Sequence, residues 1–415
     1  MQNVGTYDRG FKFLLVSRAA RSVSLSFSAI SYPLYLSLIG FSNVDVGLMA
    51  FLVILFTILQ TILLGALGDR VGYRTTLFLG EIFPLVSLTS LFFVKSGPLI
   101  YLSVIGGIGG GPGGMRGAFS PGTTAIVAKN WQDPSSRINR LGMITSIGAF
   151  FSTFGGVLVI MRQYVEFLFG SSGSYRFLFG VSALLVFISL ISIIFVTERN
   201  VAPVKKKKLI TSGSRNHLGK VMLANAFNGA GIGLSMPIIS LWFKVMYPYA
   251  TSTEIGIVFT ISYISTGTGS FLASKIKMRG ERAGKIGAYG RMLQGFLMIP
   301  LAFSPFLWIA GTIYVFRMGI AGFGTPSRSS INVGGLKEGD YGAGSGFQAS
   351  AARVAQTTSG SSGYLMDAYT PLPEFLGGLV QLGAGIIFYI LFVSTIHKSS
   401  IKTEEKSDSE IHPIK

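Results

Sequence analysis

The chain has 415 residues, 49% of them hydrophobic and only 13% charged, with mean hydropathy +0.55; ordinary soluble chains do not reach this composition, which predicts an integral membrane protein. The absence of cysteine excludes disulfides, thiolate metal sites and cysteine nucleophiles. His217, His397 and His412 all fall in or beside loops, so neither a histidine metal cluster nor a histidine proton relay is on offer, and no cofactor is expected.

Apolar runs of about 20 residues suffice for a helix to cross a hydrocarbon core of about 30 Å. Twelve are predicted, at 13–39, 44–66, 76–95, 98–127, 141–162, 175–197, 218–243, 254–274, 286–304, 306–327, 341–366 and 375–396. They are continuous rather than alternating, which argues against a β-barrel. The expected fold is all-α, two six-helix bundles (1–197 and 218–397) joined by a basic linker (198–217) and followed by a tail (398–415).

Span 1 carries Arg18 and Arg21 without a cleavage pattern of small residues, so it reads as a permanent helix and not a signal peptide. These two arginines and Arg291 of span 9 lie near the terminal side, where long side chains can snorkel. Span 2 ends in GALGDRVGYRTT (65–76), a charged knot between apolar runs. Glu81 follows about five residues inside span 3, roughly 7 Å at the helical rise, and is the one acid placed clearly within a span. It can carry a proton, or pair with a nearby loop arginine as a structural group.

GGIGGGPGG (106–114) in span 4 lacks the Lys-Ser/Thr of a nucleotide-binding loop, so it reads as close packing and bending, with a matching looseness in GIAGFGTPS of span 10. The deepest basic residues are Arg116, Arg317 and Arg353 in spans 4, 10 and 11, whose guanidinium forks suit carboxylates or phosphates or, alternatively, bond backbone carbonyls between helices. Tyr32, Tyr35, Gln60, Asn225, Asn228, Tyr263 and Gln356 are neutral candidates for a cavity lining, about half of them expected to be helix glue.

Of the 35 Lys and Arg, 25 fall at the termini or in connections after even-numbered spans, and four (Lys95, Arg162, Arg176, Lys244) on the opposite side. This positive-inside asymmetry puts both termini in the cytoplasm and accounts for most of the +18 charge, Lys205 to Lys208 included, without nucleic acid. The halves also repeat. Pro33 recurs as Pro237, Val46-Gly47 as Ile255-Gly256, Gly72 as Gly280 and Pro121 as Pro326, at near-constant offsets.

The knot after span 2 resembles the signature loop of the major facilitator superfamily, Gly-x-Leu-Ala-Asp-Arg-x-Gly-Arg-Lys-x-x-Leu: Gly65, Leu67, Asp69, Arg70, Gly72, Arg74 and Leu77 fit, with Gly68 for Ala and Tyr73 for Arg. By that resemblance, which covers all but the tails, Asp69 is a latch facing the N-terminal end of span 11 and holding the halves closed on the cytoplasmic side in an outward-facing state. In the second copy, SKIKMRGERAGK, Lys277 lies near the place of the acid. The family's antiporter signature in span 5 is met only by Gly155-Gly156, with Phe151 and Ser152 at its Gly-Pro positions, and the arginine usual in span 4 falls at Gly110.

The resemblance implies a plasma-membrane transporter, expected as a monomer, that moves a small-molecule substrate by alternating access. The signature loop is similar to the drug-exporting branch, which points to proton-coupled efflux; uptake or exchange of organic anions is the alternative. A non-transporting sensor on the same fold would need no polar cavity. An enzyme is least expected, since no nucleophile and base share a face.

Overall fold

A computed structural model describes residues 4–95, 97–108, 119–131, 133–199, 211–276, 280–336 and 341–394, and all regular elements among them are helical. Eight stretches are long and apolar enough to cross a membrane. One of them holds two crossings, because the helix Pro134–Ile194 folds back at Gly170, where φ is 71°. The interrupted crossings at 98–130 and 341–368 and the more polar Gly280–Ala302 bring the number among the described residues to twelve, so the start of the first and the end of the last fall on one face.

In chain order, spans 1 to 3 are Val4–Leu38, Asn43–Val71 and Tyr73–Phe93. Span 4 enters as a 3-10 stretch, Pro98–Gly106, and leaves as the helix Phe119–Asn130; spans 5 and 6 are the two arms of Pro134–Ile194. Span 7 runs from Ser212–Ser235 through a 3-10 turn, Met236–Ile238, to Ile239–Met246. Spans 8 to 10 are Ser252–Ser274, Gly280–Ala302 and Leu307–Gly334. Span 11 joins Tyr341–Ala355 to Ser362–Ala368 through the 3-10 segment Gln356–Ser361, and span 12 is Leu372–Tyr389 with a π turn at Ile390–Ser394.

Helices overrun the apolar windows because a helix continues into the headgroup region while hydropathy registers only the hydrocarbon slab. Span 10, expected to be loose, is one continuous helix with Pro326 inside it. Pro33 also leaves span 1 unbroken, whereas its repeat partner Pro237 lies in the 3-10 turn of span 7. The discontinuities of the second half therefore fall in spans 7 and 11.

The repeat has a physical cause. Ser42 with Asp45 and Thr251 with Glu254 form capping boxes that start spans 2 and 8, satisfying the free N–H groups of each first turn. One turn further on, Gly47 lies so close to span 11 that a Cβ there would stand 2.8 Å from the Gly363 nitrogen; a Cβ on Gly363 would stand 2.1 Å from the Asn43 carbonyl oxygen. Gly256 meets span 5 in the same manner, 3.1 Å from the Ile160 nitrogen. Spans 2 with 11 and 8 with 5 are thus a symmetric pair of backbone contacts joining the halves, which only residues without a side chain permit. Gly155 packs span 5 against span 1 and Gly156 packs it against Thr260 of span 8, so the paired glycines serve both a within-half and a between-half contact.

Polar contacts seal the same seam on the face remote from the chain ends. Asn43 Nδ2 donates to Asp367 (2.7 Å), Arg162 Nη1 to Ser252 (2.8 Å) and Thr253 to Gln163 (2.8 Å). Arg162, expected as the last residue of span 5, lies inside a longer span 5 as its last basic residue and stacks on Tyr175, 4.3 Å from its ring centre. The largest apolar core, with Tyr35, Val46, Met49, Trp242, Ile255 and Phe259, is continuous through both halves. Toward the chain ends it gives way to two separate cores, one around Leu14, Leu77 and Ile144, the other around Val221, Ala288 and Phe388. The halves thus share one apolar core on the remote face and have separate cores toward the termini.

In this cysteine-free chain, the pair N43C and D367C should be bridged by a short bifunctional thiol reagent, read as a mobility shift; failure to bridge would show that spans 2 and 11 do not meet there.

Candidate functional site

Water is absent from the interior of a helix bundle, so a buried charge needs a partner or a function. The first half contains a closed set. Glu81 is 0% exposed and accepts from Arg21 Nη1 at 2.6 Å and from the Ser189 hydroxyl at 3.0 Å, while Ser17 bonds Ser189 in turn at 2.8 Å. Arg18 donates from Nε to the Ile144 carbonyl (3.3 Å), and Arg21 lies 4.8 Å from the Phe119 ring centre. Gly148 makes room for the Arg18 guanidinium, which a Cβ would meet at 2.1 Å. Arg18 and Arg21 therefore do not snorkel; both are buried about four to five turns into span 1, and the partner of Glu81 comes from that span and not from a loop.

The second half uses other residues at the same places. Asn225 follows Arg21 by 204 residues and accepts from Arg291 Nη2 at 2.7 Å; Arg291 also lies buried, 4.7 Å from the Phe388 ring centre, instead of snorkelling. An amide on span 7 thus stands where span 1 has a guanidinium, and a guanidinium on span 9 where span 3 has an acid. Deeper in the same bundle Arg317 is 3% exposed and donates to Gln381 Oε1 at 2.9 Å, with the sulfurs of Met236 and Met318 at 3.4 and 3.6 Å. Arg317 thus points toward spans 7 and 12, inside its own half. Beside it Glu374, placed just outside the last apolar run, is the third residue of span 12 and 0% exposed, so Glu81 is not alone as an acid within a span.

Between the halves, Arg353 Nη1 donates to the Thr61 hydroxyl at 2.5 Å, joining span 11 to span 2. Arg353 is only half-buried, and among the described residues no carboxylate lies within 4 Å of it. It precedes the 3-10 segment of span 11 by one turn, and Gln356, the first residue of that segment, is half-buried too. Next to Thr61, Gln60 donates to the Ile105 carbonyl at the interruption of span 4, just before the left-handed Gly107. On span 7, half-buried Asn228 adjoins Gly229, which packs on Ala352. Arg353 and Gln60 thus lie beside neighbouring bonds at Thr61 and Ile105, with Gln356 one turn further along span 11 and Asn228 next to the Gly229–Ala352 contact of span 7.

Three other predicted lining residues are packed inside their own halves. The Tyr32 and Ser103 hydroxyls bond at 2.7 Å, Tyr35 stacks on Tyr175 and Phe179, and Tyr263 lies buried against Phe259. Arg116 lies outside the described residues.

The signature loop is a one-residue link. Gly72 takes a φ of 95°, which favours glycine, and turns span 2 into span 3. Glu198, beyond span 6, covers the open N-terminus of span 3: it accepts from the Arg74 backbone N–H (2.7 Å) and from Lys129 Nζ (2.6 Å). The Arg74 side chain bonds the Ile194 carbonyl, Arg70 is exposed, and a Cβ on Gly65 would meet nothing within 4 Å. The Asp69 side chain is outside the described set. Burial raises the Glu198 carboxyl, but the Lys129 and backbone hydrogen bonds outweigh burial and hold it below the ordinary value of 4.5.

Two outcomes follow from these contacts. Glu81→Gln leaves Arg21 buried without its counter-charge and should cost about 3–5 kcal/mol, largely recovered in the double variant Glu81→Gln/Arg21→Met, as read by thermal unfolding in detergent. Glu198 is depressed when folded, so its stabilisation is present above the unfolded value and disappears as pH falls through the folded one. Below pH 4.5 the difference in unfolding temperature between the parent and Glu198→Gln should therefore shrink toward zero.

The family model of the Major Facilitator Superfamily matches residues 14–360. No curated protein matches the chain. Among solved structures it is similar to the human organic anion transporter MFSD10 (TETRAN), with 15% identity over 92% of this chain and 99% of that one at TM-score 0.62. It is also similar to a bacterial homolog of the human lysosomal transporter Spinster in an inward-facing, unoccupied conformation (14%, 96% and 98%, 0.62) and to the D-xylose–proton symporter (12%, 93% and 98%, 0.72). At these identities the likeness carries the fold, and the family match carries membership: the chain is a multi-pass membrane transporter of the major facilitator superfamily.

Proposed function

We propose that this chain is a secondary active transporter of the plasma membrane, with both termini in the cytoplasm, that moves a small organic solute bearing an anionic group by alternating access. The observation that carries the reading is Arg353: a guanidinium between the halves that, among the described residues, bonds only a neutral hydroxyl. An uncompensated arginine in a membrane interior costs about 2.5–3.5 kcal/mol on insertion scales, and a carboxylate or phosphate on its free donors offsets that cost. Binding would exchange the hydrogen bond to Thr61, which ties span 11 to span 2, for a charge-assisted one, so occupancy and the contact between halves are linked.

This favours the organic-anion alternative over efflux of cations. Arg353, Gln356, Asn228 and Gln60 are the proposed binding residues, with Arg116 a further candidate from span 4. Tyr32, Tyr35, Asn225 and Tyr263 hold helices together. Glu81 is proposed as a structural partner of Arg21 and not as the proton carrier. With the termini cytoplasmic, the separation of the two cores on that face is the inward-open arrangement, and Asp69 acts as the latch when that face closes. The organic-anion transporter among the similar folds agrees with this substrate class, while the shared architecture itself is indifferent to it.

Charge movement across proteoliposomes on a solid support, challenged with organic anions, organic cations and sugars, tests the reading. Anions should evoke current, with apparent affinity weakened about 10-fold to 100-fold in Arg353→Ala and partly restored in Arg353→Lys, as expected for about 1.5–3 kcal/mol from a hydrogen bond to a charged group. Current evoked by lipophilic cations alone and unchanged in Arg353→Ala would overturn it in favour of cation efflux.

A further inference from the structure

The second half contains an acid that the binding site does not use. Glu374 stands in the first turn of span 12 with both carboxyl oxygens buried and without a hydrogen-bond partner. The charge that acts on it is Arg317, with the Tyr314 ring in the same field, yet among the described residues the two form no ion pair within 4 Å. Arg317 Nε and Gln381 Nε2 are likewise buried and unbonded. Gln381 follows Glu374 by seven residues, two helical turns, so both occupy one face of span 12, and Arg317 reaches that face through Gln381 at 2.9 Å. An acid and a guanidinium thus lie buried in one region without pairing.

The neighbours on every side are accounted for. Span 10 contributes Tyr314 and Arg317, and span 7 the Met236 sulfur at 3.4 Å from Arg317 together with Ser235 against Gly377. Near Glu374, span 9 meets span 12 through Gly295, Met298 and Ile299, none of them charged; its Arg291 lies against Phe388, about four turns further along span 12, and the nearby acid of span 11, Asp367, is bonded to Asn43. An ionised carboxylate in this position would face no donor, a cost of several kcal/mol, whereas a protonated carboxyl avoids most of it. Arg317 repels a metal cation from this region, but a proton can enter by forming one O–H bond on Glu374 with no coordination shell to satisfy.

We propose that Glu374 is a proton-binding site, with Arg317 and Gln381 as its positioning residues. When Glu374 loses the proton it becomes the natural counter-ion of Arg317 and competes with Gln381 and Met236 for it. Met236 opens the 3-10 turn of span 7, so the exchange acts on spans 7, 10 and 12 together. That step would couple the site to alternating access; only the coupling rests on the transport reading, and proton binding stands apart from it.

Infrared difference spectra of the full chain in lipid vesicles, recorded as pH is stepped, read the proton directly. The parent should show the carbonyl absorption of a protonated buried carboxyl that disappears on alkalinisation, absent from E374Q and retained in the double variant E81Q/R21M, and E374Q should keep the parent's unfolding temperature. An unchanged absorption in E374Q, or a fall in its unfolding temperature such as removal of an ion-pair partner causes, would overturn the proposal. With organic anions, E374Q should retain exchange at equal pH and lose the response to a pH gradient; a retained response would overturn the coupling. Absence of anion current in every variant would refute the transport reading while leaving the spectroscopic result intact.

Discussion

Backbone contact across the pseudo-symmetric seam is the constraint on which the rest of this structure depends. In a bilayer no hydrophobic force drives one helix onto another, because lipid tails are as apolar as leucine, so association relies on close approach and a few polar bonds. Gly47 against Gly363 and Gly256 against Ile160 supply the approach, and Asn43–Asp367 and Arg162–Ser252 the bonds. Since these contacts fall on the remote face, they leave the halves free to part toward the termini, where the apolar core divides in two. A seam so narrow can act as a fulcrum, and this is what a cycle of alternating access requires.

Charge placement follows from the same scarcity of water. Each half locks two of its inner helices with a buried guanidinium that rests on a phenylalanine ring: Arg21 on Phe119 and Arg291 on Phe388. The acceptors differ, a carboxylate in one half and an amide in the other. Such a swap leaves the fold intact because the geometry needs an acceptor at that depth and is indifferent to its charge, but it alters the net charge of each bundle interior.

The twelve spans, the two-fold repeat and the tight link at Gly72 were legible in the sequence, because hydropathy, recurring Pro and Gly positions and a glycine-rich loop report backbone requirements directly. Side-chain direction was not. Arg18 and Arg21 look like snorkelling residues until the acid on span 3 is known to face them, and Arg317 points into its own half because Gln381 lies one helix away. Glu374 escaped because the apolar run begins one residue after it. The signal that could have found it was Pro371 and Pro373, which mark the first turn of a helix and so place the acid inside the span. Glu198 was read as the start of a linker, since its role depends on the N-terminus of span 3, where Arg74 lies 124 residues earlier in the chain.

The distribution of unsatisfied polar atoms gives the two halves different work. In the first half the acid is matched by Arg21 and Ser189, and among the described arginines Arg18 and, at the seam, Arg162 keep an unpaired nitrogen. In the second half Arg291, Arg317, Gln381 and Glu374 all retain unpaired atoms, and spans 7 and 11 contain 3-10 segments where helical hydrogen bonds are already weakened, as span 4 does in the first half. A matched buried pair resists change, because breaking it strands a charge, whereas underpaired groups beside a weakened helix can exchange partners at little cost. On the proposed reading, the groups whose partners can exchange during a transport cycle are therefore the underpaired ones of spans 7, 10 and 12, next to the 3-10 turn of span 7.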